Sequence, residues 1–228
     1  MLSAIAIVPS APVMVPELAS GAVDELAELR QAVVTAAAAL PVRWVAVGAG
    51  RADAVVGPER VGTFAGYGVD VRITLSPVAT GALGELPLCA LIAGWVRGQA
   101  KPEAHAEVRV YSAEHDADAA LAHGRRLRAA IDEAADPVGV LVVADGAHTL
   151  TAPAPGGYAP DSIRVQAAVD DALAGGDAAA LTRLPDTIVG RVAYQVLAGL
   201  TEPAPRSARE LYRGAPYGVG YFVGFWQP

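Results

Sequence analysis

Short runs of apolar, β-branched residues alternate along the chain with longer alanine-rich stretches whose apolar positions recur at helical spacing. Residues 3–8 and 42–48 read as buried strands, and 69–75 and 107–111 as strands with partial alternation. The run Val138-Gly139-Val140-Leu141-Val142-Val143-Ala144 is the most continuous strand signal. Between these runs the spacing predicts a helix over 20–39, with Ser20 as its cap and Asp24, Glu25 and Glu28 near its positive end. A second helix starts near Pro87, a residue suited to a first helical turn. A third covers 116–135, where Ala120, Gly124, Leu127 and Ile131 share one face and Arg125, Arg126 and Arg128 lie mostly off it. Two more follow, over 161–174 with Asp161 as cap and over 187–200. The segment from Glu210 to Trp226 reads as two strands joined by a Gly/Pro turn. This order predicts a single α/β domain over 1–228, with a mostly parallel central sheet, helices on both faces and a C-terminal β-hairpin.

Composition narrows the function classes. The chain is 53% hydrophobic and 18% charged, enough apolar surface to bury a sizeable core. Its net charge of −7 argues against nucleic acid, because phosphate backbones are bound by basic surfaces that release counterions. The lone Cys89 excludes an internal disulfide, suits a reducing, cytoplasmic setting, and sits in an apolar run that predicts core packing. The segment Met1 to Ala6 has no basic residues, and Pro9 and Pro12 follow it closely, so no signal peptide is expected. No apolar run approaches the roughly 20 residues that span a bilayer, so no membrane partner is expected either.

Ligands of open α/β sheets sit beyond the carboxyl ends of the strands. That rule selects Pro9 to Pro16, Gly48 to Gly57 and Asp145 to Pro160, with the turn Pro216-Tyr217-Gly218 close enough to join them. Within Asp145-Gly146-Ala147-His148-Thr149, an imidazole at His148 could serve as general base with Asp145 fixing its orientation. The plainer alternative has Asp145 capping the turn and His148 bonding a carbonyl. Ser10, between Pro9 and Pro12, suits a turn better than a nucleophile, since its base would have to be His148 from another loop. Tyr158, Tyr217 and Tyr221 could line a pocket for an aromatic or polar organic ligand, or could simply pack. The G-x-G of Gly48-Ala49-Gly50 lacks its third glycine, with Asp53 standing there instead, so a tight turn is expected in place of a dinucleotide site. His115 and His123, eight residues apart, and His105 read as solvent-edge residues.

The strand and loop from Ala6 to Glu17, the Asp145-Gly146 turn and the tail from Ala215 to Phe222 together resemble the class III extradiol ring-cleavage dioxygenases of the LigB type. More narrowly, nearly the whole chain is similar to a mycobacterial, alanine-rich branch of LigB-like proteins. The resemblance implies an α/β fold holding non-haem Fe(II) through two histidines and a glutamate, with a further acid/base histidine, and opening catechol rings with O₂. Carried over by position, the first iron histidine falls at Ser10 and the second in Gly48-Ala49-Gly50, where there is none, while the acid/base histidine falls near His148. A hydroxyl and a glycine turn do not replace two imidazoles as Fe(II) donors.

The expectation is therefore a family fold that has lost ring cleavage, with Ser10, Gly48, Ala49, Gly50, Tyr158 and Tyr217 around a cleft for a small organic ligand or a partner. No cofactor is expected, and Fe(II) or another divalent metal enters only if a site is built from other ligands. The alternative is an active enzyme, either a divergent metal-dependent oxygenase or a metal-free hydrolase using His148 and Asp145. A purely structural role is the third reading, since folds of this kind form homodimers and other homo-oligomers.

Overall fold

The structure is a computed structural model, described over residues 1–19, 21 and 23–228. Its strands are β1 (Leu2–Val8), β2 (Arg43–Gly50), β3 (Ala54–Val56), β4 (Val61–Thr63), β5 (Arg72–Thr74), β6 (His105–Ser112), β7 (Val138–Val143), β8 (Ser207–Gly214) and β9 (Tyr221–Gln227). The helices are α1 (Ala27–Ala38), α2 (Leu88–Ala100), α3 (Ala117–Asp132), α4 (Asp161–Gly175), α5 (Ala178–Leu181) and α6 (Arg191–Leu200).

Seven strands form the main sheet in the order β3-β6-β2-β7-β1-β9-β8. The four inner strands β6, β2, β7 and β1 run parallel, while β3 at one edge and the β9/β8 hairpin at the other are antiparallel additions. Every residue of β7 is buried, which is why this strand reads as a continuous apolar run and lies at the sheet's centre. Side chains alternate between two cores. Ala4, Ala6 and Val8 of β1 face a core roofed by α1 and α2, while Ile5 and Ile7 face one shared with α3, α4, α5 and α6. The expected architecture is thus observed, with helices on both faces and the terminal hairpin pairing onto β1.

The second face depends on a close helix crossing. A side-chain carbon added at Gly124 in α3 would lie 2.2 Å from the Val196 carbonyl oxygen, and one at Gly199 in α6 would lie 2.2 Å from that of Leu121. The two helices touch backbone to backbone, and only glycine allows it.

Several boundaries differ from the sequence reading. The first helix begins at Ala27 instead of 20, and the expected cap Ser20 lies outside the described residues. Asp161 is the first residue of α4, not its cap, and α6 starts at Arg191 instead of 187. The run 69–75 yields only β5, which pairs with β4 in a separate two-stranded sheet. Its β-branched residues would suit any sheet, so its placement was decided by contacts. Gly94 of α2 leaves room for Ile73, and the buried Arg97 guanidinium donates to the Thr74 carbonyl (3.0 Å) and hydroxyl (2.9 Å). None of the described helices is long and apolar enough to cross a membrane.

Candidate functional site

The carboxyl ends of β1 and β7 lie side by side, Val8 pairing with Val143, so Ser10 and Asp145 meet just beyond them. The Ser10 backbone N–H donates to Asp145 Oδ1 at 2.8 Å. That is the Asp145 carboxylate's one hydrogen bond among the described residues, and it does not offset the loss of water. Burial pushes the carboxyl up to about 7, with the Ser10 N–H pulling weakly the other way. The mouth is walled by tyrosines. Tyr194, wholly buried, donates to the Ala144 carbonyl at 3.1 Å, and the buried Tyr221 ring approaches from the start of β9. The phenols of both are pushed up by burial, with the Asp145 charge as a second cause. Tyr217 stands further out, its hydroxyl donating to Glu25 at 2.9 Å.

Local sequence explains why the mouth has this shape. The Gly146 N–H donates to the Gly220 carbonyl and the Gly220 N–H to the Ala147 carbonyl, lacing the loop after β7 to the start of β9. The Gln166 amide fills the space that side chains on Gly146 and Gly220 would take, accepts from the Ala147 N–H at 2.7 Å and donates to Asp170 at 2.8 Å. Asp170 is in turn pushed up to about 6 by burial.

The sequence-derived residues separate here. Ser10 and Asp145 come together, and Tyr221 joins them. His148 does not: no hydrogen bond links it to Asp145 among the described residues, because the Asp145 carboxylate turns to the Ser10 backbone instead. The imidazole lies against Gly156, whose N–H donates to the His148 carbonyl, and its Nδ1 is buried with no partner among the described residues. Among the described residues, neither the Asp145 carboxylate nor any carbonyl is bonded to the ring. Tyr158 is 55% exposed, its hydroxyl bonded to none of the mouth residues. Gly48 and Gly50 offer a ligand little room. A carbon added at Gly48 would lie 2.3 Å from Cys89 Cβ, and one at Gly50 would lie 2.6 Å from Val110. Cys89 is the core residue expected, its thiol pushed up to about 11 by burial. Ala49, between the two glycines, remains partly exposed.

One arrangement was missed. His115 and His123 are half-buried, and they converge with each other and with Asp53 at the ends of β2 and β6. The contact that brings Asp53 to His115 spans 62 residues of chain, which the eight-residue spacing of the two histidines does not reveal.

No protein-family profile matches the chain, and no curated protein matches it. Solved structures do. One is an uncharacterized protein of Escherichia coli K12, JW3007, similar over 99% of this chain and 100% of that one, with a TM-score of 0.60 and 11% sequence identity. At that identity the likeness extends to the fold: a mixed α/β domain with a mostly parallel central sheet, helices on its faces and a C-terminal hairpin.

Proposed function

We propose that the chain is a LigB-like protein that binds a small organic ligand at the mouth between β1 and β7 and does not cleave rings. Asp145 carries this reading. A carboxyl enclosed at the carboxyl end of a central parallel strand, with one hydrogen bond and a pKa near 7, is costly to keep and stands where ligands of such sheets bind. It would accept a hydrogen bond from a ligand hydroxyl when ionised and donate one when protonated. Tyr217 and Tyr221 on the flank suit an aromatic or polar organic ring.

The loss of ring cleavage rests on donors. Ser10 supplies a hydroxyl where the resemblance implies an iron histidine. None of Gly48, Ala49 and Gly50 supplies the second, and a side chain on Gly48 would meet Cys89. The Nδ1 of His148, without a partner among the described residues, favours a second reading, hydrolysis with that imidazole as base, although no hydrogen bond from Asp145 orients it there. Either activity would be cytoplasmic, in keeping with the single reduced thiol.

Isothermal titration with catechol, dihydroxybenzoates and simple phenols tests the proposal. Wild type should bind at least one of them, and Asp145→Asn should bind it at least about tenfold more weakly without a lower melting temperature, the effect of one buried charged hydrogen bond. Equal binding by Asp145→Asn, or none by wild type, sinks the ligand site. Ring opening of a catechol after anaerobic Fe(II) loading, seen as a new absorbance band on admitting O₂, sinks the loss of cleavage. Ester hydrolysis abolished in His148→Ala would promote the second reading.

A further inference from the structure

The ends of β2 and β6 hold a second cluster, independent of the β1/β7 mouth. Asp53 follows β2, His115 lies in the turn after β6, and His123 sits in the second turn of α3. One donor atom from each lies within 4.8 Å of the other two. His115 Nε2 is 2.7 Å from Asp53 Oδ1, His123 Nε2 is 3.7 Å from Asp53 Oδ2, and the two ring centroids are 4.7 Å apart. We infer that Asp53, His115 and His123 form a binding site for a divalent transition-metal ion such as Zn²⁺ or Co²⁺.

Donor chemistry supports this assignment. Two imidazoles and one carboxylate suit first-row transition ions, whereas Mg²⁺ and Ca²⁺ take oxygen shells. Metal–ligand bonds of about 2.0–2.2 Å put neighbouring donors roughly 3–3.5 Å apart. The two Nε2–carboxylate distances bracket that spacing, and the two histidine donors lie within 4.8 Å of each other.

Each donor is also held from behind, as metal ligands usually are. The Ser112 N–H donates to Asp53 Oδ1 at 2.7 Å and is the largest influence lowering the Asp53 pKa. Arg191 donates to the carbonyls of His115 (3.0 Å) and Ala113 (3.1 Å), fixing the turn that carries His115. The His123 ring rests on Tyr111 at 4.8 Å.

The remaining coordination positions are accessible. His115 lines a groove of about 760 Å³, while Asp53 and His123 line another of about 610 Å³. Three protein donors opening onto grooves leave positions for water or an exchangeable ligand.

One contact opposes metal binding, and it makes the inference sharper. Arg126 Nη2 lies 3.1 Å from His123 Nδ1, and a guanidinium can only donate there. In that state Nε2 keeps its proton and faces Asp53. Ligation through Nε2 moves the proton to Nδ1 and turns Arg126 outward, which its exposure allows. Arg126 is therefore a competitor, and removing it should strengthen binding.

The test uses the full chain without a histidine tag, stripped with chelator and titrated with Co²⁺ and Zn²⁺. About one Co²⁺ should bind per chain, with ligand-field absorption in the visible. His115→Ala and His123→Ala should each weaken binding at least about tenfold, and Arg126→Gln should tighten it. Imidazole ¹⁵N spectra of wild type keep the test valid should a variant fail to fold. Zn²⁺ must shift the resonances of His115 and His123 and leave those of His105 and His148 in place. Shifts at His148 or His105 instead, no stoichiometric binding, or unchanged affinity in His115→Ala/His123→Ala would overturn the site.

Discussion

Two aspartates at the same edge of one sheet have opposite fates. Asp145 follows β7 and is enclosed, with one backbone N–H for company, and burial pushes its carboxyl up to about 7. Asp53 follows β2 and is exposed beside two imidazoles, and its carboxyl is pulled below the ordinary 3.8, first by the Ser112 N–H. Residue type and position relative to the strand ends are shared. The difference is what stands in for water. At β1/β7 the Asp145 carboxylate has one backbone N–H and no counter-charge among the described residues, whereas at β2/β6 the chain supplies donors and leaves solvent in place. The first arrangement stores a protonation equilibrium near neutrality and the second keeps a negative charge ready for a cation.

The strongest way to break this comparison is to refill the end of β2. Gly48→His would put an imidazole near the end of β2, and its Cβ would collide with Cys89 Cβ at 2.3 Å. Overpacking of a filled site costs about 1–3 kcal/mol. A chain of this size should then melt about 2–12 °C lower. Calorimetry of Gly48→His alone and with Cys89→Gly, which removes the colliding Cβ, checks it. Recovery of half the loss in the double variant would confirm Cys89 as the obstacle, and an undiminished melting temperature in the single variant would show that the end of β2 is open.

That blockage marks how far the sequence could be read. The glycine pair was visible, and so was its lack of a histidine, but nothing near Gly48 says that Cys89, carried by α2, packs against it. The long elements were legible because their burial is periodic: β7 is apolar throughout, and α3 shows its buried stripe of Ala120, Leu121, Gly124, Leu127 and Ile131. β3 and β4 were not, since three residues are too few to display alternation and their strand character comes from a partner. Asp145 and Ser10 were singled out at strand-end loops, as was the loop that holds Asp53, but its convergence with His115 and His123 joins two loops and a helix through the β2/β6 pairing. Such convergence is a property of topology and leaves no trace in spacing.

Asp145 should also govern how stability changes with pH. Its folded pKa of about 7 lies above its ordinary 3.8, so between these values the folded state holds a proton that the unfolded state has lost. This contribution is full below about 4 and disappears as the pH rises through 7. Asp145→Asn keeps the acceptor for the Ser10 N–H and removes the titration. Urea unfolding at pH 5 and pH 8 should show wild type losing up to a few kcal/mol that the variant retains. Asp170, raised to about 6, adds a smaller loss of the same sign in both proteins. Parallel pH curves for wild type and Asp145→Asn would mean that water reaches the mouth.

The smallest effect belongs to the other aspartate. Asp53 has a side chain 47% exposed, and its attraction to the imidazoles is screened by solvent. Asp53→Asn in metal-free protein should change stability by less than about 1 kcal/mol at pH 7. The amide oxygen still accepts from the Ser112 N–H, so the variant removes charge and leaves the turn intact. Salt separates the two sites further. Raising NaCl to about 1 M shortens the screening length to roughly 3 Å and should erase what remains of the Asp53 effect, while the difference between wild type and Asp145→Asn at pH 8 persists because a desolvation cost is not screened by ions. If salt abolished both differences alike, the two carboxylates would share one solvent environment. The contrast between a closed mouth and an open metal-ligating edge would then have no physical basis.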